Sequence, residues 1–408
     1  FTANLAADIR ENLRKICTLE ELRRIEVIHL DAWVNQFLRE SGFSAQIGYD
    51  DVINPLWEKA VLSANIDLPF ETSFYEEEWN RIAIAQEALT LEKYVRATRN
   101  GRGTRLDRKK RMQVWKVFEN YQNLMKENQI RDINTAMYES TKLLQSAGRK
   151  PRYASIIIDE GQDFSDNAYR LIRALAGEEH PNDIFIVGDS HQRIYRNHPT
   201  LSKCGINVRG RSSILKINYR TTEEIRKYAF ALLNGISFDD LDENSDLGDK
   251  CQSLTHGEKP IVENFENAND EFDFLLHEVK KLKENGVSLT DICVVARTKK
   301  LVDDYIALFT KAGIFAYVIK RNKVDNRSFD GLRVATMHRV KGLEFKYVFI
   351  VAANSRIIPL PSAINKTDPV SEVESVTSEK CLLYVAMTRA QKGVYITSYG
   401  RKSVFLKS

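Results

Sequence analysis

Cysteine is scarce in this 408-residue chain: Cys17, Cys204, Cys251, Cys293 and Cys381 are odd in number, widely scattered and free of any C-x-x-C pair. That excludes a disulfide framework, a zinc ribbon and an iron–sulfur site, and leaves reduced, mostly buried thiols. Long apolar runs are lacking as well. The longest, around Tyr347 to Ala353, falls far short of the roughly 18 residues that suggest a membrane span, so no membrane partner is expected. No charged-then-apolar leader opens the chain, which gives the expectation of a cytoplasmic protein. Internal repeats and low-complexity tracts are absent, and the nine prolines are too dispersed to mark one linker. One absence bears directly on chemistry: none of the 19 glycines is followed by lysine, so the phosphate-cradling G-x-x-x-x-G-K-[ST] loop is excluded.

What is present suits two or three globular domains, since 43% of residues are hydrophobic and 28% charged. The net charge of +4 is small, but its distribution is uneven. Ten Lys/Arg lie between Lys93 and Lys116 against the single acid Asp107, a strip that would attract a phosphate backbone or form a solvated helix face. Asp239 to Asp249 carries six carboxylates and reads as a surface loop that nucleic acid would avoid.

From Ala3 to about Gln145 apolar residues recur at three- and four-residue spacing, which predicts an all-helical block. At Tyr153 the texture changes. Short apolar runs ending at Asp159 and Gly188 flank a helical period from Asn167 to Leu175, the pattern of a parallel α/β sheet. A second sheet is expected from strands at Ser213–Ile217, Pro260–Phe265, Asp291–Ala296, Phe315–Ile319, Leu332–Thr336, Tyr347–Val351 and Val394–Ser398. Helices are expected at Thr222–Leu233, Asp270–Asn285, Lys300–Ala312 and Ser378–Ala390. In such sheets ligands sit at the carboxyl edge of the strands.

Five segments carry chemistry at those edges. Ile156-Ile-Ile-Asp159-Glu160-Gly-Gln-Asp163 is an apolar strand ending in acids, the arrangement by which nucleotide hydrolases deliver one carboxylate (Asp159) to Mg²⁺ and a second (Glu160) to the attacking water. Gly188-Asp189-Ser190-His191-Gln192-Arg193-Ile194-Tyr195-Arg196 follows the next strand and joins a neutral amide to an aromatic ring. Asn218-Tyr219-Arg220-Thr221-Thr222 combines a strand end with a threonine helix cap. Thr336-Met-His338-Arg339-Val-Lys341-Gly342-Leu-Glu344-Phe345 holds hydroxyl, imidazole and guanidinium groups suited to phosphates. Leu383-Tyr-Val-Ala-Met-Thr-Arg389-Ala390 closes the set.

With Phe1-Thr2-Ala-Asn4 at the start, these segments in this order resemble the motifs of UvrD/Rep/PcrA-type superfamily 1 helicases, from Phe1 to about Ser398. The resemblance implies an α/β fold of two RecA-like parallel-sheet domains with a helical insertion in the first. Residues 1–30 and 146–212 would form the remainder of the first RecA-like domain and 31–145 the insertion. Residues 213–408 would form the second, with the family's further insertion absent or vestigial near 320–331. ATP and Mg²⁺ are the implied cofactors. Gln192, Arg220 and Arg389 would act on the γ-phosphate beside Glu160, Tyr219 would stack on adenine, and Gly342 and Glu344 would lie at the ribose. Phe1, Thr2, Asn4, Tyr195, Arg196, Thr336, His338 and Arg339 would hold nucleic acid.

The implied function is ATP-dependent 3′-to-5′ translocation on single-stranded DNA with unwinding at duplex junctions, by a monomer. Lacking the phosphate loop, the chain is expected to be a truncated form without ATPase activity. The alternative is a motor-dead module that binds single strands or a partner protein.

Overall fold

The computed structural model describes residues 3–99, 102–146, 153–195, 199–239, 245–246, 251–320, 325, 328–366 and 368–406. Phe1, Thr2 and Arg196 lie outside the described residues. The N-terminal third is helical, as the spacing predicts, apart from a two-residue parallel pairing of Gln46–Ile47 with Ile130–Arg131. Helices Asp50–Ala64 and Arg108–Glu127 pack through their apolar faces, and Trp57, Trp79, Phe118 and Tyr121 form an aromatic core with Trp57 stacked on Tyr121. Asp107 caps the second helix by accepting from Lys110 N.

Under this core lies a carboxylate with no exposed surface, Glu78, which accepts from Arg99, Arg102 and Tyr94 Oη. Arg111 donates to the carbonyls of Tyr94, Val95 and Ala97, closing the end of helix Leu91–Arg96. Three members of the basic strip are therefore internal struts. Lys93, Arg96, Arg105, Arg108, Lys109, Lys110 and Lys116 remain exposed.

The first sheet is small. Strands β1 (Ile156–Ile158) and β2 (Ile184–Ile186) pair in parallel, connected through helix Asp166–Ala176, whose cap Ser165 accepts from Ala168 N. That helix covers one face, where Ile158 is buried against Tyr169 and Ile172. On the other face Ile157 is 77% and Phe185 62% exposed, unusual for parallel strands, which are generally covered on both sides.

The second sheet has six parallel strands: β3 (Ile261–Phe265), β4 (Ile292–Ala296), β5 (Ala316–Val318), β6 (Leu332–Thr336), β7 (Phe345–Ile350) and β8 (Ala390–Tyr399). Their spatial order is β5-β6-β4-β7-β8-β3, so the wholly buried β4 lies between β6 and β7. Helices Ala268–Glu284 and Lys299–Lys311 cover one face, and Glu223–Ala231 and Pro369–Met387 the other.

Three expectations need correction. The run Ser213–Ile217 is not a sheet strand; only Ile217–Asn218 pairs, with Gln252–Ser253, and Ile214 and Leu215 are exposed because no strand among the described residues lies beside them. The last helix starts earlier than expected, at Pro369, where Asp368 caps it. It ends at Met387, so Arg389 follows the helix and Ala390 already begins β8. Within the acidic stretch, Phe238–Asp239 pairs antiparallel with Ser245–Asp246.

Arg333 on β6 is fully buried. It pairs with Asp325 Oδ1 at 2.9 Å, donates to the carbonyls of Phe329 and Gly331, and lies over the Tyr317 ring. The short link between β5 and β6 is thus pinned to the sheet by a buried ion pair. Arg333→Leu would leave Asp325 buried without its counter-charge, and urea unfolding is expected to show a loss of about 3 kcal/mol; a change below about 0.5 kcal/mol would show that the pair does not hold the link.

Candidate functional site

The carboxyl end of β1 presents the acids. Asp159 is exposed and its Oδ1 accepts from Glu160 N at 2.8 Å. Glu160 has φ +55°, a left-handed backbone that costs a non-glycine residue on the order of 1–3 kcal/mol. Its carboxylate accepts from Gln162 Nε2 at 2.6 Å and lies 3.3 Å from Lys341 Nζ. Asp163, one short helical turn on, is buried and receives a hydrogen bond from the same ammonium. Burial pushes the Asp163 carboxyl up to about 6, against the opposing pull of Lys341.

Two residues past β2, a Cβ on Gly188 would come within 2.6 Å of Gln162 Oε1 and 3.2 Å of Gln162 N, so glycine lets the two segments approach closely. Asp189 then caps the turn Ser190–Gln192 and receives bonds from His191 and from Gln192 Nε2. Burial would raise its pKa, but these bonds outweigh it and hold the carboxyl below its ordinary range. Tyr195, a few residues on, is 40% exposed.

From the opposite sheet come the cations. Lys341 has a buried side chain and also donates to the Gln192 carbonyl at 2.8 Å. Gly342 follows at φ +82°, a conformation a side chain would strain, and it turns the chain toward Glu344. Glu344 receives Arg220 Nε at 2.5 Å and Gln391 Nε2 at 3.1 Å. Arg220 stands in a turn organised by Asn218, whose Oδ1 accepts from its backbone N, and the neighbouring Tyr219 ring is 75% exposed. Arg389 is 1% exposed; its Nε donates to Val385 O and its Nη2 to Gln192 Oε1 at 2.8 Å. Burial first and Arg220 second push its pKa down to about 10, which leaves it charged at neutral pH.

Glu160, Gln192, Arg220, Glu344, Gly342 and Arg389 therefore meet at one junction between the two sheets. Thr336, His338 and Arg339 leave the carboxyl end of β6, on the run leading to Lys341. The His338 imidazole is pushed down to about 4, by burial and then by Arg297, and is neutral at pH 7. Arg297 itself is paired in two-point fashion with Glu379 at 3.0 and 2.7 Å. Asn4 falls in helix Ala3–Ile16, and its side chain lies outside the described residues.

Sequence reasoning assigned no role to Lys341, Asp163 or the Arg297–Glu379 pair. The available signal was a lysine between Val340 and Gly342-Leu343 and a second acid three residues beyond Glu160. Among the described residues no group of three or more His, Cys, Asp or Glu side chains gathers to hold a metal ion. The exposed Asp159 carboxylate instead fits a Mg²⁺ that takes most of its ligands from a triphosphate and water. No helix among the described residues is long and apolar enough to cross a membrane.

Two acid-tipped parallel strands faced by three buried or half-buried cations define a protein of the nucleotide-handling α/β class. Residues 1–198 match the model of the UvrD/REP helicase N-terminal domain, and residues 213–330 and 321–401 match that of the UvrD-like helicase C-terminal domain. The chain belongs to the UvrD-like helicase family. A probable DNA helicase of Mycoplasma pneumoniae is 23% identical across 99% of this chain and 74% of its own length. A probable DNA helicase II homologue of the same organism is 22% identical across 79% of this chain and 47% of its own length, so the chain spans only about half of that relative. A solved C-terminal domain of a possible DNA helicase from Lactobacillus plantarum overlays with a TM-score of 0.34 at 17% identity, covering 46% of this chain and 91% of that one.

The depressed His338 pKa has a consequence for stability. An unfolded histidine titrates near 6.5, so between about 6.5 and 4 the unfolded chain binds the extra proton. The contribution of His338 is present above that window and is lost as pH falls through it, by up to roughly 3 kcal/mol. Urea midpoints of the parent and His338→Asn, compared at pH 7 and pH 4.5, should converge at the lower pH; parallel curves would show a histidine that titrates normally.

Proposed function

We propose that the chain forms the acid–cation cleft and DNA-tracking surface of an ATP-driven single-strand DNA translocase and helicase. The observation that carries this reading is the meeting of Glu160 and Gln192 from one sheet with Arg220, Glu344 and Arg389 from the other. Glu160 orients the attacking water and takes its proton. Arg389 and Arg220 neutralise charge on the transferred phosphoryl group, and Gln192, already bonded to Arg389, reports its presence across the cleft. Asp159 holds Mg²⁺. Tyr219, exposed beside Arg220, offers an adenine platform, and Glu344 accepts from the ribose.

The track is Thr336, His338, Arg339 and Tyr195, and by family likeness Phe1, Thr2, Asn4 and Arg196 bind nucleic acid as well. A neutral His338 acts there as a hydrogen-bond donor and Arg339 as the charge. Travel is 3′ to 5′ by family likeness. We further propose the division into a first RecA-like domain (residues 1–30 and 146–212), a helical insertion (31–145) and a second RecA-like domain (213–408), with residues 320–331 in place of a further insertion. The protein works as a monomer in the cytoplasm.

Because no glycine precedes a lysine anywhere in the chain, β- and γ-phosphates lack their usual cradle. The same missing loop favours a second reading, a motor-dead module that binds single strands or a partner protein. ATPase assays with single-stranded DNA separate the two. The 408-residue chain is expected to turn over ATP no faster than its Glu160→Gln form, whereas a longer form that carried a G-x-x-x-x-G-K-[ST] loop would show DNA-stimulated hydrolysis that falls at least ~10²-fold with Glu160→Gln. Equal rates in that longer pair would remove Glu160 from its role and leave the binding module.

A further inference from the structure

The helical block touches the second sheet domain at a place remote from the cleft. Helix Thr72–Glu78 runs directly into a π-helical segment, Trp79–Ile84, a geometry that is rare and concentrated at functional positions. From it Arg81 reaches Glu374 with both terminal nitrogens, at 2.6 and 3.1 Å. One turn earlier Glu77 accepts from Asn365 Nδ2 at 2.9 Å and Ser371 Oγ at 3.3 Å, while Arg102 Nη1 steadies it at 2.6 Å. Beside them the Gly103 backbone lies so close to Asp368 that a Cβ there would meet Oδ1 at 2.5 Å. Asn365, Asp368, Ser371 and Glu374 all belong to the N-terminal approach of helix Pro369–Met387.

This contact is chiefly polar, with the Val370 side chain beside Gly103 as its apolar part. The carboxylate–guanidinium pair that crosses it, Arg81–Glu374, is two-pointed and largely buried, which makes it stronger and less screened than a surface pair. Such a junction can close firmly and still open. Five residues along the same helix, about 8 Å at the helical rise, Glu379 holds Arg297, and these two charges flank His338. The contact therefore stands beside the proposed DNA track.

The three bodies are joined in a circuit. The helical block packs on the first sheet through helices Ile133–Ser146 and Asp166–Ala176, the first sheet meets the second through Lys341 with Asp163 and Arg389 with Gln192, and the second returns to the block through Glu77 and Arg81. We propose that Glu77, Arg81 and the Asn365–Glu374 segment form a strap that closes this circuit as a ring around a single DNA strand lying on Thr336, His338 and Arg339. The proposal rests on the single-strand DNA reading above. The strap retains the strand by enclosure, and its polar bonds must part for a strand without free ends to enter.

Gly103→Cys with Asp368→Cys, in a chain whose half-buried Cys17 and Cys251 are replaced by Ser, supplies a lock, since a Cβ at Gly103 would stand 3.1 Å from Asp368 Cγ, the atom whose place the cysteine sulfur takes. The variant is loaded on circular or linear single-stranded DNA of one sequence, oxidised, and washed with molar salt to strip phosphate contacts. Retention on the circle, loss from the linear form and release from the circle on reduction are expected. Equal loss from both, or failure of the pair to oxidise, overturns the strap. Failure to bind either DNA at low salt overturns the DNA reading itself. Independently of the lock, Arg81→Glu should shorten the lifetime on circles about 10-fold, and Arg81→Glu with Glu374→Arg should restore it; an unchanged lifetime in the single variant also overturns the strap.

Discussion

One buried charge contact holds the two sheets face to face. Lys341 carries its ammonium out of water into a pocket made by Asp163, Glu160 and the Gln192 carbonyl, all from the opposite sheet. Removing an ammonium and a carboxylate from water costs several kcal/mol each, and only close partners offset that cost. Neither sheet could bury its half alone. The acidic end of β1 and the turn after β6 are therefore one object, and Gln192, which takes Lys341 on its carbonyl and Arg389 on its side chain, is the residue where that object meets the cleft cations.

Arginine serves two ends in this chain, and burial separates them. Arg99, Arg102, Arg111 and Arg333 spend their donors on internal carboxylates and carbonyls, where a planar fork satisfies several acceptors with one side chain. Arg105 and Arg108, a few residues away, stand in solvent among lysines. The charge strip that looks uniform along the chain is thus a structural cluster threaded through an exposed basic ridge. Glu78 causes the split, because a carboxylate with no exposed surface cannot remain without guanidinium partners.

Backbone geometry does the remaining placement. Parallel pairing puts Asp159 and Gly188 at the same end of the first sheet, the close packing at Gly188 lets Asp189 dock on Gln162, and the left-handed Glu160 places its carboxylate near Lys341. The open face bearing Ile157 and Phe185 shows that two strands suffice to present these ends but not to cover the sheet that carries them.

What the sequence alone determined is local. β6 occupies Leu332–Thr336, the span its apolar run predicts, and helix Asp166–Ala176 extends the Asn167–Leu175 period by one residue at each end. Those spans follow from side-chain periodicity and capping, which act over a few residues. The same kind of evidence misread Ser213–Ile217, because an apolar run carries no information about whether another strand lies beside it. Strand order, the 178-residue span from Asp163 to Lys341 and the 197-residue span from Gln192 to Arg389 were decided only by the tertiary structure. Buried charges must find counter-charges wherever the chain happens to return, and that return is set by the packing of whole layers rather than by any neighbouring residue.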